Sequence, residues 1–151
     1  MSADTRPLAL VLTQVAVADG LAAACALGKV PIDAVPSPIG AFAVCRDVDG
    51  DGPARAATVI SQLLKQIPVV LIERRDGLVT ASRWEMGQRV GDLAPGLMLD
   101  GAPPELEDLM LGTRTLAELD GVVSSTTMSR WKAMRILARA ARRGRRSRLT
   151  G

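Results

Sequence analysis

Residues 69–84 read VVLIERRDGLVTASRW, in which two β-like runs, 69–74 and 78–84, flank the pair Asp76-Gly77. An Asp-Gly pair between two such runs is a strong short-range signal for a tight hairpin, because the turn needs residues that accept a positive φ. The stretch therefore predicts a β-hairpin.

The chain before the hairpin mixes strand-like and helix-like patterns. In chain order it predicts a strand and an Ala-rich helix in 8–28, an extended connection over 30–40, a short buried strand over 39–45 and a helix over 53–66. Pro53 suits the first turn of that last helix, and Pro68 ends it. These elements predict an α+β fold, a small mixed domain with a β-hairpin over residues 1–90.

The chain after the hairpin changes in character. Residues 91–104 (GDLAPGLMLDGAPP) are rich in Gly and Pro and predict a boundary. Helical patterns follow over 104–111, about 114–121 and about 126–143, and Gly144 is predicted to end the last helix. The sequence thus predicts a helical, basic C-terminal module at 105–143 and a basic flexible tail at 144–151.

The composition argues against most catalytic sites. The chain contains no His, which excludes histidine general bases, His-paired nucleophiles and His-containing zinc sites, and it contains no Tyr. Its only aromatic residues, Phe42, Trp84 and Trp131, offer few platforms for stacking single-stranded bases. We therefore predict a non-enzymatic protein without a cofactor.

The two cysteines, Cys25 and Cys45, lie in apolar contexts and lack metal-site spacing, so both are predicted to be small buried hydrophobic residues. Residues 7–28 are apolar enough to suggest a membrane segment, but Asp19-Gly20 interrupts the run near its middle. A soluble, cytoplasmic protein is the prediction that follows.

An acidic loop follows the strand at 39–45. Its residues 47–52 (DVDGDG) resemble the first six positions of an EF-hand calcium loop, with Asp47, Asp49 and Asp51 as weak metal candidates. The ninth position is Arg55 and the twelfth is Thr58, where an EF-hand has a bidentate Glu. The residues thus favour a polar turn at the positive end of the following helix, and no metal site is predicted.

The charge of the chain is strongly polarised. The last 22 residues carry nine Lys and Arg and no acid, while the other 129 carry ten Lys and Arg and all 16 acids. The net charge is therefore +9 for the first group and −6 for the second. Such asymmetry is typical of a basic arm that binds nucleic acid or another anionic surface.

The basic residues form a stripe rather than a coat. At about 100° per residue, with Trp131 at zero, one arc of about 20–120° contains five cations, Lys132, Arg135, Arg139, Arg142 and Arg143. Apolar residues fill the rest of the circle, and no acid follows Asp120 to form i,i+4 pairs. Five like charges on one arc favour an anionic partner.

The segment before this helix carries one resemblance. Residues 113–133 (TRTLAELDGVVSSTTMSRWKA) resemble the helix-turn-helix segment of bacterial repressors, with Ala117 as the small contact residue and Gly121 in the turn. Thr127-Met128-Ser129-Arg130 would then begin the reading helix. The resemblance implies that Thr126, Thr127, Ser129 and Arg130 approach base edges; an ordinary helical hairpin is the alternative.

The leading prediction is a nucleic-acid-binding or regulatory protein that contacts phosphates of DNA or RNA through its arginine-rich C-terminal helix. The predicted site residues are Arg130, Lys132, Arg135, Arg139, Arg142, Arg143, Arg145 and Arg146, with Thr127 and Ser129. The alternative is an adaptor whose basic helix docks on an acidic protein or an anionic membrane, and a homo-oligomer fits either function. A third possible partner is the chain's own acids, Asp47, Asp49, Asp51, Glu105, Glu107 and Asp108.

Overall fold

A computed structural model describes residues 6–65, 67–96, 100 and 102–150, of which 143–150 are described by their backbone. The strands are β1 (Leu8–Leu12), β2 (Ile32–Val35), β3 (Phe42–Cys45), β4 (Val69–Arg75), β5 (Leu78–Glu85), β6 (Gln88–Leu93) and β7 (Val123–Ser124). The helices with described bounds are α1 (Ala18–Leu27), α2 (Gly52–Leu63), α3 (Pro104–Leu111) and α4 (Arg130–Thr150), together with a 3-10 helix (Leu116–Glu118).

The strands form one antiparallel sheet in the order β6-β5-β4-β1-β3-β2-β7. This confirms the α+β class. The predicted hairpin is confirmed as β4 and β5, and its turn residues Asp76 and Gly77 have φ values of 51° and 76°. A positive φ at both central positions matches the right-handed twist of the strands.

Apolar side chains cover both faces of the sheet near β1. Ala57 and Ile60 of α2 belong to a cluster on one face with Val11 and Leu71, whereas Leu106 of α3 belongs to a cluster on the opposite face. The central strands of the sheet are buried on both sides, and their sequences are therefore continuous apolar runs, such as LALVL of β1. The predicted burial of Cys25 and Cys45 is confirmed.

Parts of the chain on both sides of the predicted boundary contribute to this sheet. β7 pairs with β2, and α3, whose bounds match the predicted helix 104–111, packs on the sheet face. The predicted boundary at 91–104 overlaps the strand β6, which the sequence did not predict. Residues 97–99 and 101 of that boundary lie outside the described residues. The predicted connection over 30–40 contains the buried strand β2.

The prediction of a helix over about 114–121 is wrong. Thr115 and Glu118 form a capping box around the 3-10 helix, but Leu119 is already extended (ψ 145°), and Gly121 has a φ of 76°. The chain then enters β7, because the edge of β2 offers backbone hydrogen-bonding groups that this segment can pair with. The two-helix arrangement of a helix-turn-helix is therefore not formed over 113–133.

The predicted end of the basic helix at Gly144 is also wrong. α4 has 21 residues and runs to Thr150, so the segment predicted as a flexible tail is helical up to that residue, and Gly151 lies outside the described residues. A single Gly costs a helix only about 1 kcal/mol relative to Ala, which the flanking residues can offset.

Candidate nucleic-acid interface

The start of α4 is fixed by a hydroxyl cap. Lys132 N donates to Ser129 Oγ at 3.1 Å, and Ala133 N donates to the Ser129 carbonyl at 2.9 Å. Ser129 is thus the N-cap that the first turn requires. The contacts of Ser129 and of exposed Thr127 with base edges stay predictions. The capping hydrogen bond is by itself a sufficient structural reason for a serine at position 129.

α4 is anchored on α1 through its first turns only. Ala133 is fully buried, Ile136 and Leu137 are half-buried, and α1 is the element against which α4 packs. Residues 138–142 are exposed on every side of the helix. The anchored part therefore holds the direction of the helix, while the following part leaves the domain.

The cations of α4 whose side chains the structure describes all face solvent. There are five of them: Arg130, Lys132, Arg135, Arg139 and Arg142. Within the described part of the chain, no ion pair joins any of these five to an acid. The side chains of the other predicted site residues Arg143, Arg145 and Arg146 lie outside the described ones. Four of these cations, Lys132, Arg135, Arg139 and Arg142, lie on the arc of about 20–120°, and we call these four the cationic stripe; Arg130 lies outside that arc.

Most arginines elsewhere in the described chain do have acidic partners. Arg46 binds Asp33 through two hydrogen bonds of 2.8 and 3.1 Å. Other pairs are Arg83 with Glu85, Arg89 with Asp92 and Arg114 with Asp108. Most described arginines of the sheet domain therefore have an acidic partner, whereas the charge of the stripe is left uncompensated.

The acidic loop is neutralised in the same way. The guanidinium of Arg55 lies 3.4 Å from carboxylate oxygens of both Asp47 and Asp51, and Arg75 donates to the carbonyls of Val48 and Gly50. Over the described residues, no group of three or more His, Cys, Asp or Glu side chains is arranged to hold a metal ion. The loop therefore uses an arginine as its cation, and its acids are not paired with the stripe.

The apolar side of α4 is divided by the docking on α1. Trp131 is 77% exposed and Met134 is 48% exposed, and Ala138 and Ala141 follow them at spacings of four and three residues. These four residues, which we call the apolar strip, lie next to the cations on the helical wheel. The sequence predicted one wide apolar face and did not show which part of it would be buried.

A groove runs along the junction of α4 with the first turn of α1 and the residues just before it. It has a volume of about 350 Å³ and is lined by residues 15–17, Asp19 and Gly20 on one side and by Ile136, Arg139 and Ala140 on the other. It places Arg139, a member of the stripe, at the point where α4 leaves the domain.

The two thiols are not part of this surface. Burial, with a smaller contribution from nearby acidic groups (Cys45 for Cys25, Glu73 and Asp47 for Cys45), raises the pKa of each thiol to about 12. Neither is therefore a thiolate near neutral pH, and neither has the character of a nucleophile.

A comparison with protein-family models, curated proteins and solved structures finds no match to this chain. Of the helices that the structure describes, none is both long enough and apolar enough to cross a membrane. The exposed surface of α4 is therefore the feature of this chain that indicates a function.

Proposed function

We propose that this protein binds nucleic acid by contacting phosphates through the cationic stripe of α4. The observation that supports this function is the exposure of five cations on a preformed helix with no acidic partner among the described residues. Arginine dominates the stripe, and its planar guanidinium makes bidentate bonds to phosphate oxygens.

The spacing of the stripe suits a row of anions. Lys132 and Arg142 are ten residues apart, which is about 15 Å along a helix axis. Cations held this close repel each other, and phosphates placed among them remove the repulsion and release condensed counterions. Binding is consequently expected to weaken steeply as salt rises.

The experiment that tests the proposal is a salt titration of binding to duplex DNA and to RNA, followed by fluorescence anisotropy. With about six phosphate contacts, log K should fall against log salt concentration with a slope of about −5 on duplex DNA. Negligible affinity for both nucleic acids at about 50 mM salt would contradict the proposal, because the electrostatic attraction is strongest there.

A pair of double variants separates the stripe from net charge. Arg135→Gln with Arg139→Gln removes two unpaired cations and should reduce the slope by about 2. Arg83→Gln with Arg89→Gln removes the same charge from the sheet domain, where both arginines are paired with acids. The second variant should leave the slope nearly unchanged; an equal effect of both would show that net charge alone drives binding.

The apolar strip favours a second candidate function, binding to an anionic membrane surface. A large exposed aromatic side chain, Trp131, beside Met134 and a row of cations is the pattern of a helix that lies at the level of lipid headgroups. Flotation with vesicles of phosphatidylserine and phosphatidylcholine tests it. Vesicle binding that Trp131→Ala abolishes, together with no affinity for nucleic acid, would replace the first function by this one.

A further inference from the structure

We infer that residues 138–150 of α4, the projecting segment, enter the major groove of B-form DNA. This inference rests on the proposed function and names the nucleic acid and the way it is bound. The residues that carry it follow Ile136 and Leu137, the last half-buried side chains among those described for α4.

The shape of the projecting segment fits that groove. Its described side chains, at 138–142, are exposed all round, and its backbone stays helical to Thr150. The segment is about 20 Å long, and a helix with side chains is about 10–12 Å in diameter. The major groove of B-form DNA is about 12 Å wide and about 8.5 Å deep, which admits one helix.

The residue types of the segment fit the same partner. It contains six arginines and no acid, so it carries the charge that phosphates on both sides of a groove would neutralise. Its apolar residues at 138, 140 and 141 are all alanines, which leave the helix slim where it leaves the domain. Alanine is also a side chain that can contact the thymine methyl group on the floor of the groove.

The anchored part of α4 cannot bind in this way, because α1 covers one side of it at Ala133. Double-stranded RNA is not the expected partner either. The major groove of its A-form helix is deep and narrow, and side chains do not read it. The projecting segment is therefore expected to distinguish the two duplexes, although their phosphate charges are alike.

Three labelled duplexes of one length and sequence test the inference with the full chain at low salt. One is DNA, one is RNA, and one is DNA whose pyrimidines carry a bulky substituent at C5, which fills the major groove and leaves the phosphates unchanged. We expect the unmodified DNA to bind at least about tenfold more tightly than either of the others. Equal binding of all three would overturn groove entry and leave phosphate binding standing, while binding of none would refute the proposed function itself.

Two double variants of equal charge locate the contact on the helix. Arg139→Gln with Arg142→Gln changes the projecting segment, and Lys132→Gln with Arg135→Gln changes the anchored part. All four side chains are exposed, no acid among the described residues pairs with them, and circular dichroism checks that both variants keep their helix. The first should lower the preference for unmodified over C5-substituted DNA, and the second should weaken binding to both DNAs alike. An equal loss of that preference in both variants would contradict entry by the projecting segment.

Discussion

Arg74 of β4 is a buried cation that ties α3 to the sheet, and its removal should destabilise the fold. Its side chain is 7% exposed, and its guanidinium donates to the carbonyls of Leu109 and Met110 at 3.0 and 2.8 Å and to that of Arg6 at 2.8 and 3.2 Å. The first two carbonyls belong to the last turn of α3, where the helix itself offers no donor to Met110.

Arg74→Met keeps the apolar stem of the side chain and removes all of these donors. Each hydrogen bond from a charged donor contributes about 1.5–3 kcal/mol, and water does not reach the site well enough to replace it. The loss is offset in part, because a guanidinium need no longer be taken out of water. We expect a net decrease of about 2–4 kcal/mol in the free energy of unfolding, which is a large share of a typical domain stability.

Urea denaturation followed by far-ultraviolet circular dichroism measures this decrease. The matched control is Arg75→Met, the next residue on the strand, whose side chain is 41% exposed and donates to loop carbonyls near the surface. Its cost should stay below about 1 kcal/mol. Equal free energies of unfolding for the two variants would refute the reasoning that α3 and the sheet unfold as one unit through Arg74.

Three further predictions concern the described core and turns. Ser125→Ala should cost about 2 kcal/mol in urea denaturation, because the buried hydroxyl accepts from one backbone amide at 2.9 Å and donates to a backbone carbonyl at 2.7 Å beside β2; a loss below about 0.5 kcal/mol would contradict that role. Gly87→Ala should be more destabilising than Gly77→Ala. Both glycines have a positive φ, but of the two only Gly87 would place a Cβ 2.7 Å from another side chain, that of Gln62. Equal losses of stability would contradict a steric contribution at Gly87. Because burial raises the pKa of the thiols of Cys25 and Cys45 from 9.0 to about 12, the neutral thiol stabilises the fold below pH 9, and this contribution is lost as the pH rises from 9 towards 12. The urea midpoint should therefore fall over that window, and it should fall less in a variant with both cysteines changed to Ala.

The elements predictable from the sequence are those whose local signals agree with their surroundings. Asp76 and Gly77 adopt the conformation that their residue types favour, and the strands on either side carry the apolar side chains that the core needs. In α3, Pro103 precedes the helix, Pro104 begins it and Gly112 follows it with a φ of 75°, so both ends are marked in the sequence. No long-range contact is needed to place these boundaries.

The strands that the sequence did not reveal depend on pairing with distant partners. β6 is almost entirely exposed, so it has no alternation of apolar residues, and it is a strand because β5 pairs with it across a second tight turn. β2 lies between Pro31 and Pro36, which flank its four paired residues without interrupting them. Local patterns do not record such pairings, because the hydrogen bonds of a sheet are made by the backbone.

The candidate site shows the same division between local and long-range information. The cationic stripe follows from residue spacing alone, because charged side chains stay in water whatever the helix packs against. The buried residues of α4, in contrast, do not follow from the sequence. Their size favours burial of Trp131 and Met134, but the structure buries Ala133. α4 packs closely on the Ala-rich helix α1, and a small residue at the contact allows the two backbones to approach where a tryptophan would hold them apart. The close contact at Ala133 therefore turns Trp131 and Met134, two large apolar side chains of α4, outward beside the stripe. This one contact determines both how the helix is anchored and which surface it presents to a partner.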